Sequence, residues 1–157
     1  FNSLSKTYGL AGARIGFCVG NPEVVKHLKL LKSNMDYGMF LPIQKAAVAA
    51  ITGDQTCVET TRAAYEKRRD VLCDGLNAIG WKIPKPEATM FVWAPVPESF
   101  TSSEEFAVEL VKKSGVLVTP GSAFGPSGEG YVRMALVQDE PELKKGIAAI
   151  EACGILK

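Results

Sequence analysis

Apolar residues recur at the spacing of an α-helix in five stretches of the chain. Two of these stretches open on a capping box, in which a serine or an aspartate precedes a glutamate by three residues. Prolines, which suit the first turn of a helix, open two more. The pattern predicts helices that begin at Pro22, Pro42, Thr56, Ser102 and Asp139, and the longest of them runs over residues 56–77.

Short apolar or alternating runs separate these stretches and are typical of β-strands. They cover residues 15–19, 81–83, 90–96, 116–118 and 131–136. The first run is almost continuously apolar, which predicts a buried strand. Because helices and strands alternate along the chain, the pattern predicts an α/β fold.

The last of these strands carries a charged residue. Val132, Met134 and Leu136 share its apolar face, so the side chain of Arg133 points to the other face. On an arbitrary strand, an arginine in that position faces solvent. The strand pattern alone therefore assigns no function to Arg133.

Composition limits the classes of partner. A chain of 157 residues with 46% apolar and 22% charged residues is typical of a globular protein with a real core. Its net charge of +1 gives no electrostatic reason to expect nucleic acid or an acidic membrane surface as a partner.

The cysteines and the single histidine predict neither a disulfide framework nor a metal site. Cys18, Cys57, Cys73 and Cys153 form no CxxC pair, and His27 adds one more isolated ligand. The chain does not open on a secretory leader, and no apolar run approaches the roughly 18 residues of a membrane span. We expect reduced thiols in a soluble cytoplasmic protein.

The stretch over residues 3–16 carries the candidate chemistry. Lys6 follows two serines, Ser3 and Ser5, and precedes Arg14 in a glycine-rich segment. It is not a P-loop, because Ser5 stands where the second glycine of that motif should be. The glycine spacing also misses the dinucleotide-binding fingerprint. A lysine can act as a nucleophile only when its charge is suppressed, and Arg14 offers donors suited to a phosphate.

Ser-x-Ser-Lys followed by Gly-Leu-Ala-Gly-x-Arg-x-Gly resembles the cofactor-lysine segment of the class I/II pyridoxal-phosphate aminotransferases of fold type I. The similarity is greatest to the branch that contains aspartate, alanine and LL-diaminopimelate aminotransferases. This resemblance implies that Lys6 is the catalytic Schiff-base lysine of pyridoxal 5'-phosphate. It also implies that Ser3, Ser5 and Arg14 hold the phosphate of that cofactor.

The same resemblance gives roles to two further residues. It implies that Tyr37 contacts the cofactor of the neighbouring subunit in a homodimer, although a tyrosine that merely covers a loop is the alternative. It also implies that Arg133 binds the α-carboxylate of the amino-acid substrate. A guanidinium can grip a carboxylate by two parallel hydrogen bonds. We therefore expect Lys6, Arg14 and Arg133 to meet in one pocket.

The resemblance covers essentially the whole chain as the C-terminal portion of a longer enzyme. It implies that residues 1–50 are a remnant of the large cofactor domain and that residues 51–157 form the small C-terminal α/β domain. The substrates would be an amino acid and a 2-oxo acid. Because the family's other cofactor contacts lie upstream, we expect the chain alone to lack transaminase activity.

Two alternatives stay open. One is a binding or assembly domain of the same fold in which Lys6 is inert. The other is a pyridoxal-phosphate lyase or synthase of the same fold type, since fold alone does not fix the reaction. The sequence does not identify the amino-acid substrate.

Overall fold

The computed structural model describes residues 1–156 and combines helices with two small antiparallel sheets. Its residues form two compact units, Phe1–Arg62 and the residues from Ala63 onward, and the division falls inside one long helix. The boundary that the resemblance implies, after residue 50, concerns the domains of the family and stays a prediction.

The first unit begins with a tight pair of two-residue strands, in which Ser3 lies opposite Gly16. A β-carbon at Gly16 would lie 2.6 Å from the carbonyl oxygen of Asn2, so glycine permits this close approach. The elements of this unit are β1 (Asn2–Ser3), α1 (Leu4–Thr7), a 3-10 turn (Ala11–Ala13), β2 (Gly16–Phe17), α2 (Pro22–Met35) and α3 (Leu41–Thr52).

The predicted start of α2 is confirmed, because the side chain of Asn21 accepts hydrogen bonds from the backbone nitrogens of Glu23 and Val24. The predicted buried strand over residues 15–19 is wrong in length and burial. Only Gly16 and Phe17 pair, and both are exposed, whereas the preceding Ile15 is buried.

The apolar stripe predicted for α2 does not enter a core, since none of its residues is buried. The buried core of this unit consists of Leu4, Ile15 and Ala47. Large exposed apolar side chains of this unit include Val24, Leu30, Leu31, Met35, Phe40, Leu41 and Val48.

The second unit packs helices against a three-stranded antiparallel sheet of order β3-β5-β4. The helix α4 (Thr56–Ala78) leads into it, followed by β3 (Phe91–Pro95), α5 (Ser103–Ser114), β4 (Thr119–Pro120), two 3-10 turns (Gly121–Phe124 and Pro126–Gly128), β5 (Tyr131–Ala135) and α6 (Glu140–Cys153). Arg133 on the central strand lies opposite Trp93 on one side and Thr119 on the other.

Both predicted capping boxes begin helices. The Ser102 hydroxyl accepts from the backbone nitrogen of Glu105 at 3.1 Å, and the Asp139 carboxylate accepts from that of Glu142 at 3.1 Å. The Glu105 carboxylate reaches back to Thr101, one residue before the cap, instead of to Ser102 itself.

Two predicted strands are absent from the described residues. Residues 81–83 pair with no strand, and they are held by Trp81, which donates to the Pro95 carbonyl at 2.8 Å, and by Asn77, which accepts from the Ile83 nitrogen at 3.1 Å. Residues 116–118 also stay unpaired, and the pairing begins at Thr119. Apolar runs indicate burial, but they do not specify a hydrogen-bonding partner.

The alternation of β5 is confirmed, with Val132 and Met134 buried and Arg133 on the opposite face. The core beneath this sheet includes Leu76, Phe106, Leu110 and Leu136. None of the described helices is long and apolar enough to cross a membrane.

Candidate functional site

Ser3 and Ser5 place two hydroxyls side by side at the start of α1. The Ser3 hydroxyl donates to that of Ser5 at 2.9 Å and accepts from the backbone nitrogen of Ser5 at 3.2 Å, so Ser3 is the N-cap of this short helix. The carbonyl oxygen of Ile15 lies 3.4 Å from the Ser3 hydroxyl. The N-cap and the pairing of Ser3 with Gly16 therefore fix the hydroxyls of Ser3 and Ser5 relative to the segment that follows Arg14.

Lys6 lies within α1, directly after these serines, and its side chain is exposed. Among residues 1–156, no side chain forms an ion pair or hydrogen bond with its amine. Each residue from Phe1 to Pro22 lacks a carboxylate side chain, so this segment carries the positive charges of Lys6 and Arg14 with no acid to neutralise them. The amine is available to a ligand.

Arg14 ends the 3-10 turn in the left-handed conformation, with φ of 50°. One terminal nitrogen of its guanidinium donates to the Ala11 carbonyl at 3.1 Å, and no acidic side chain in the described part of the chain pairs with it. Its neighbour Ile15 accepts from the backbone nitrogen of Leu4 at 3.4 Å. The structure thus brings the backbone beside Arg14 against that of the two serines.

Tyr8 makes a hydrogen bond that the sequence did not predict. Its hydroxyl donates to the side-chain oxygen of Gln55 at 2.9 Å, and the amide nitrogen of Gln55 donates to carbonyls at the end of α3, including that of Gly53 at 2.8 Å. The residue after the Lys6 helix is thereby attached to α3. A pair separated by 47 residues leaves no local signal in the sequence.

The donor set of this segment suits an anionic ligand with a reactive carbonyl. Two hydroxyls and a guanidinium are donors for phosphate oxygens, and a lysine amine can add to an aldehyde. The residues present therefore fit the phosphate and aldehyde groups of pyridoxal phosphate.

Tyr37 lies between α2 and α3, is 93% exposed and has a positive φ of 58°. No hydrogen bond or ring contact holds its side chain within the described residues. Its predicted contact across a dimer stays a prediction.

Arg133 contacts two aromatic rings. Its guanidinium carbon lies 4.2 Å from the ring centroid of Phe91 and 4.4 Å from that of Phe124. Its Nε is buried without a hydrogen-bond partner, and no carboxylate of the described residues pairs with the guanidinium. A buried donor without a partner costs about 1–3 kcal/mol, so the position favours a ligand that accepts hydrogen bonds.

An aromatic cluster extends from this pair of rings. Trp93 meets Phe124 edge-on at 5.7 Å and stacks on Tyr131 at 5.8 Å. Phe91 and Trp93 could have been found from the sequence, because they alternate with the buried Val92 and Ala94 and so share the face of the sheet that carries Arg133. Phe124 comes from a loop, and no strand pattern marks it.

The loop that carries Phe124 is fixed at its ends. A β-carbon at Gly121 would lie 1.9 Å from the Gly128 carbonyl oxygen, so the two backbones touch. The Glu129 carboxylate accepts from the backbone nitrogen of Ser103 at 2.6 Å, and the buried Ser103 hydroxyl accepts from the Ser122 nitrogen at 3.3 Å. This loop is therefore attached to the start of α5.

The hydrogen bonds that anchor the loop also lower the pKa of an acidic side chain, Glu129. Donation from the backbone nitrogens of Gly130 and Ser103 lowers the pKa of Glu129 from its ordinary value of 4.5, against the smaller opposing effect of desolvation. The carboxylate is consequently held in its charged form.

The Lys6 segment belongs to the first unit and Arg133 to the second. Each group of contacts is internal to its own unit. The predicted meeting of Lys6, Arg14 and Arg133 in one pocket therefore stays a prediction. No cluster of three or more potential metal ligands occurs among residues 1–156.

Comparisons with known proteins identify similar chains. The family model described as aminotransferase class I and II matches residues 1–150. An LL-diaminopimelate aminotransferase of Dehalococcoides mccartyi is 46% identical over 150 residues, which are 96% of this chain and 38% of that protein. The glutamate-pyruvate aminotransferase AlaC of Escherichia coli is 46% identical over 154 residues, 97% of this chain and 37% of that protein.

A solved structure of a probable N-succinyldiaminopimelate aminotransferase from Thermus thermophilus superposes with a TM-score of 0.88 at 33% identity, covering 96% of this chain and 40% of that one. The solved structures that match this chain confirm the predicted α/β class and the resemblance to fold type I. The chain spans about two fifths of the length of the curated relatives it matches.

Proposed function

Because the chain belongs to the family of class I and II aminotransferases, we propose that its residues serve the transfer of an amino group between an amino acid and a 2-oxo acid, with pyridoxal 5'-phosphate as cofactor. The observation that carries this proposal is Arg133, a guanidinium in contact with two aromatic rings and left without an acidic partner in the described residues. Such a group is suited to the carboxylate that every amino-acid substrate carries.

The roles within the Lys6 segment follow from its donors. Ser3, Ser5 and Arg14 would hold the cofactor phosphate, and Lys6 would hold the cofactor through its amine. When bound, the cofactor supplies an electron sink for the substrate Cα. The Lys6 Nζ would accept the proton from the substrate Cα and later return a proton, so it would act as general base and acid.

Arg133 would bind the α-carboxylate by two parallel charge-assisted hydrogen bonds and so fix the substrate Cα relative to Lys6. In a full-length homodimer, Tyr37 would contact the cofactor of the neighbouring subunit, which is consistent with its exposed side chain. We place this enzyme in the cytoplasm and propose residues 1–50 and 51–157 as its two domain portions.

The substrate is proposed by class. Relatives bear the names LL-diaminopimelate aminotransferase and glutamate-pyruvate aminotransferase, so LL-diaminopimelate, glutamate and alanine are the first amino acids to test. We expect no turnover of these amino acids with 2-oxo acids by the 157 residues alone, because the other cofactor contacts that the resemblance implies lie upstream. Clear turnover by this chain with added cofactor would contradict that expectation.

Reductive trapping tests the role of Lys6. The chain is incubated with pyridoxal phosphate and borohydride, and peptide mapping by mass spectrometry locates the modified lysine. We expect modification at Lys6 ahead of other lysines, with excess inorganic phosphate slowing it because phosphate competes for Ser3, Ser5 and Arg14.

Two variants make this experiment specific. Lys6→Arg should abolish the trapped adduct at this position, whereas Lys29→Arg, which changes an exposed lysine of α2, should leave it unchanged. Modification spread evenly over the exposed lysines, without an effect of phosphate, would favour a binding or assembly domain in which Lys6 is inert.

A further inference from the structure

The guanidinium of Arg133 is restrained by two rings that come from different parts of the chain. Phe91 belongs to β3, and Phe124 belongs to the loop before β5. With ring centroids at 4.2 Å and 4.4 Å from the guanidinium carbon, both rings lie within the range of a favourable cation–π contact. The half-buried cation gains this stabilisation in place of an ion pair.

Contact with both rings limits where the donors of Arg133 can point. A ring in cation–π contact excludes a ligand from the side of the guanidinium that it covers, whereas the N–H donors lie in the guanidinium plane. A carboxylate can then be bound along an edge that the rings leave free. Restricting a long side chain in advance reduces the entropy that binding must otherwise cost, so it strengthens the binding of a small anion.

Each ring is itself fixed by backbone contacts. Phe91 pairs with Ala135 in the register that sets Trp93 opposite Arg133. Phe124 lies between Gly121 and Gly128, whose backbones touch, and the loop is attached to Ser103 through Glu129. The rings therefore have defined positions before any ligand arrives.

We propose that Phe91 and Phe124 are positioning residues that hold the guanidinium of Arg133 in the orientation that binds a carboxylate. This inference rests on the proposed function of Arg133 as the carboxylate site. It assigns to the two phenylalanines a contribution to affinity that acts through the arginine, without contact to the ligand.

The test is an NMR titration of the full chain with propionate, followed through the side-chain N–H signals of Arg133, which are assigned by their loss in Arg133→Lys. Because the guanidinium lies over both rings, their ring currents should shift these signals upfield in the free protein. Propionate should move them further, whereas the neutral propionamide should not.

Leucine variants remove each ring and retain most of its apolar volume. Phe91→Leu and Phe124→Leu should each reduce the upfield shift and weaken propionate binding about three- to tenfold, since a cation–π contact contributes about this factor. Phe91→Tyr and Phe124→Tyr retain a ring and should bind propionate as the parent chain does. Tyr131→Leu removes a ring that stacks on Trp93 instead of on Arg133, and it should leave affinity unchanged.

The outcomes separate the inference from its premise. A parent chain whose Arg133 signals do not respond to propionate would refute the carboxylate site, and the inference with it. A normal response in the parent, with unchanged affinity in both leucine variants, would refute the positioning role alone. Equal weakening in the leucine and tyrosine variants would also refute it, because that result would reflect a general loss of packing.

Discussion

Among the half-buried arginines of the second unit, Arg133 differs in what it contacts. Arg69 pairs with Asp70 at 2.7 Å, and Arg68 donates to the Leu136 carbonyl at 3.2 Å. Arg133 has neither kind of partner in the described residues, and its Nε is buried. At the scale of single residues, a desolvated cation without an acceptor indicates a binding group, since it costs stability that a structural residue would not cost.

This cost predicts that Arg133→Met does not destabilise the chain. Methionine removes the buried, unpaired donor, and this gain offsets the loss of the two cation–π contacts, so the free energy of unfolding should change by less than about 1 kcal/mol. Urea denaturation measures it. Arg69→Met is the matched control and should be destabilising, because it breaks the pair with Asp70. Destabilisation by Arg133→Met as large as that by Arg69→Met would show that Arg133 is structural.

Glu129 predicts a pH dependence. Its pKa is lowered in the folded state, so its contribution to stability is complete above the ordinary value of 4.5 and is lost as the pH falls through the folded pKa. Glu129→Gln should therefore have a lower melting temperature than the parent at pH 7, and the difference should disappear in acid. Calorimetry from neutral pH down to below the ordinary pKa measures this.

Glu98→Gln changes an exposed acid without a partner in the described residues and should match the parent throughout that pH range. A melting-temperature difference for Glu129→Gln that persists unchanged below the ordinary pKa would contradict the assigned role of the charged carboxylate.

At the scale of elements, the sequence predicts helices better than strands for a physical reason. A helix start depends on local groups: the predicted caps at Ser102 and Asp139 are both present, and Asn21 caps the helix that was predicted to begin at Pro22. A strand needs a distant partner, so residues 81–83 and 116–118 look like strands and pair with nothing in the described part of the chain. The contacts of Phe91 and Phe124 with Arg133 also could not be predicted from the sequence, because 42 and 9 residues separate the two rings from the arginine.

The packing of α4 against α6 gives a prediction at this scale. Gly75 lies inside α4, and a β-carbon there would be 2.6 Å from the Cδ1 atom of Ile147 on α6 but 3.5 Å from its Cγ1 and Cγ2 atoms. Alanine is favoured over glycine in a helix by about 1 kcal/mol. Gly75→Ala should therefore gain little in the parent and about 1 kcal/mol in an Ile147→Val background, where the conflicting atom is gone.

A double-mutant cycle by urea denaturation measures the coupling between these two positions. The expected coupling is favourable in the double variant. An equal effect of Gly75→Ala in both backgrounds would show that Ile147 moves aside without cost and that the close approach does not constrain the two helices.

At the scale of the whole chain, the two units differ in how much apolar surface they bury. The first unit has three buried core residues, whereas the core of the second contains 17, as counted over residues 1–156. The chemistry of the Lys6 segment could be identified by resemblance, but this inequality could not, because the apolar stripe of α2 has the same pattern as a buried one.

Hydrogen exchange should reveal the difference in burial between the two units. The helices α2 and α6 each contain 14 residues, and α2 has none buried, whereas Leu143 and Ile150 of α6 are buried. We expect the amides of α2 to exchange at least about tenfold faster than those of α6 after correction for intrinsic rates. Equal protection would mean that α2 is stabilised by contacts beyond those described.

The order of the second sheet has a practical consequence for redesign. The strand β5, which carries Arg133, is hydrogen-bonded to β3 on one side and to β4 on the other. Moving the guanidinium by editing that strand would disturb two neighbours at once. An engineer who wants a different anion preference should leave the strand intact and vary the flanking rings, since Phe124 lies outside both strand pairings and can be replaced while Gly121 and Gly128, whose backbones touch, are kept.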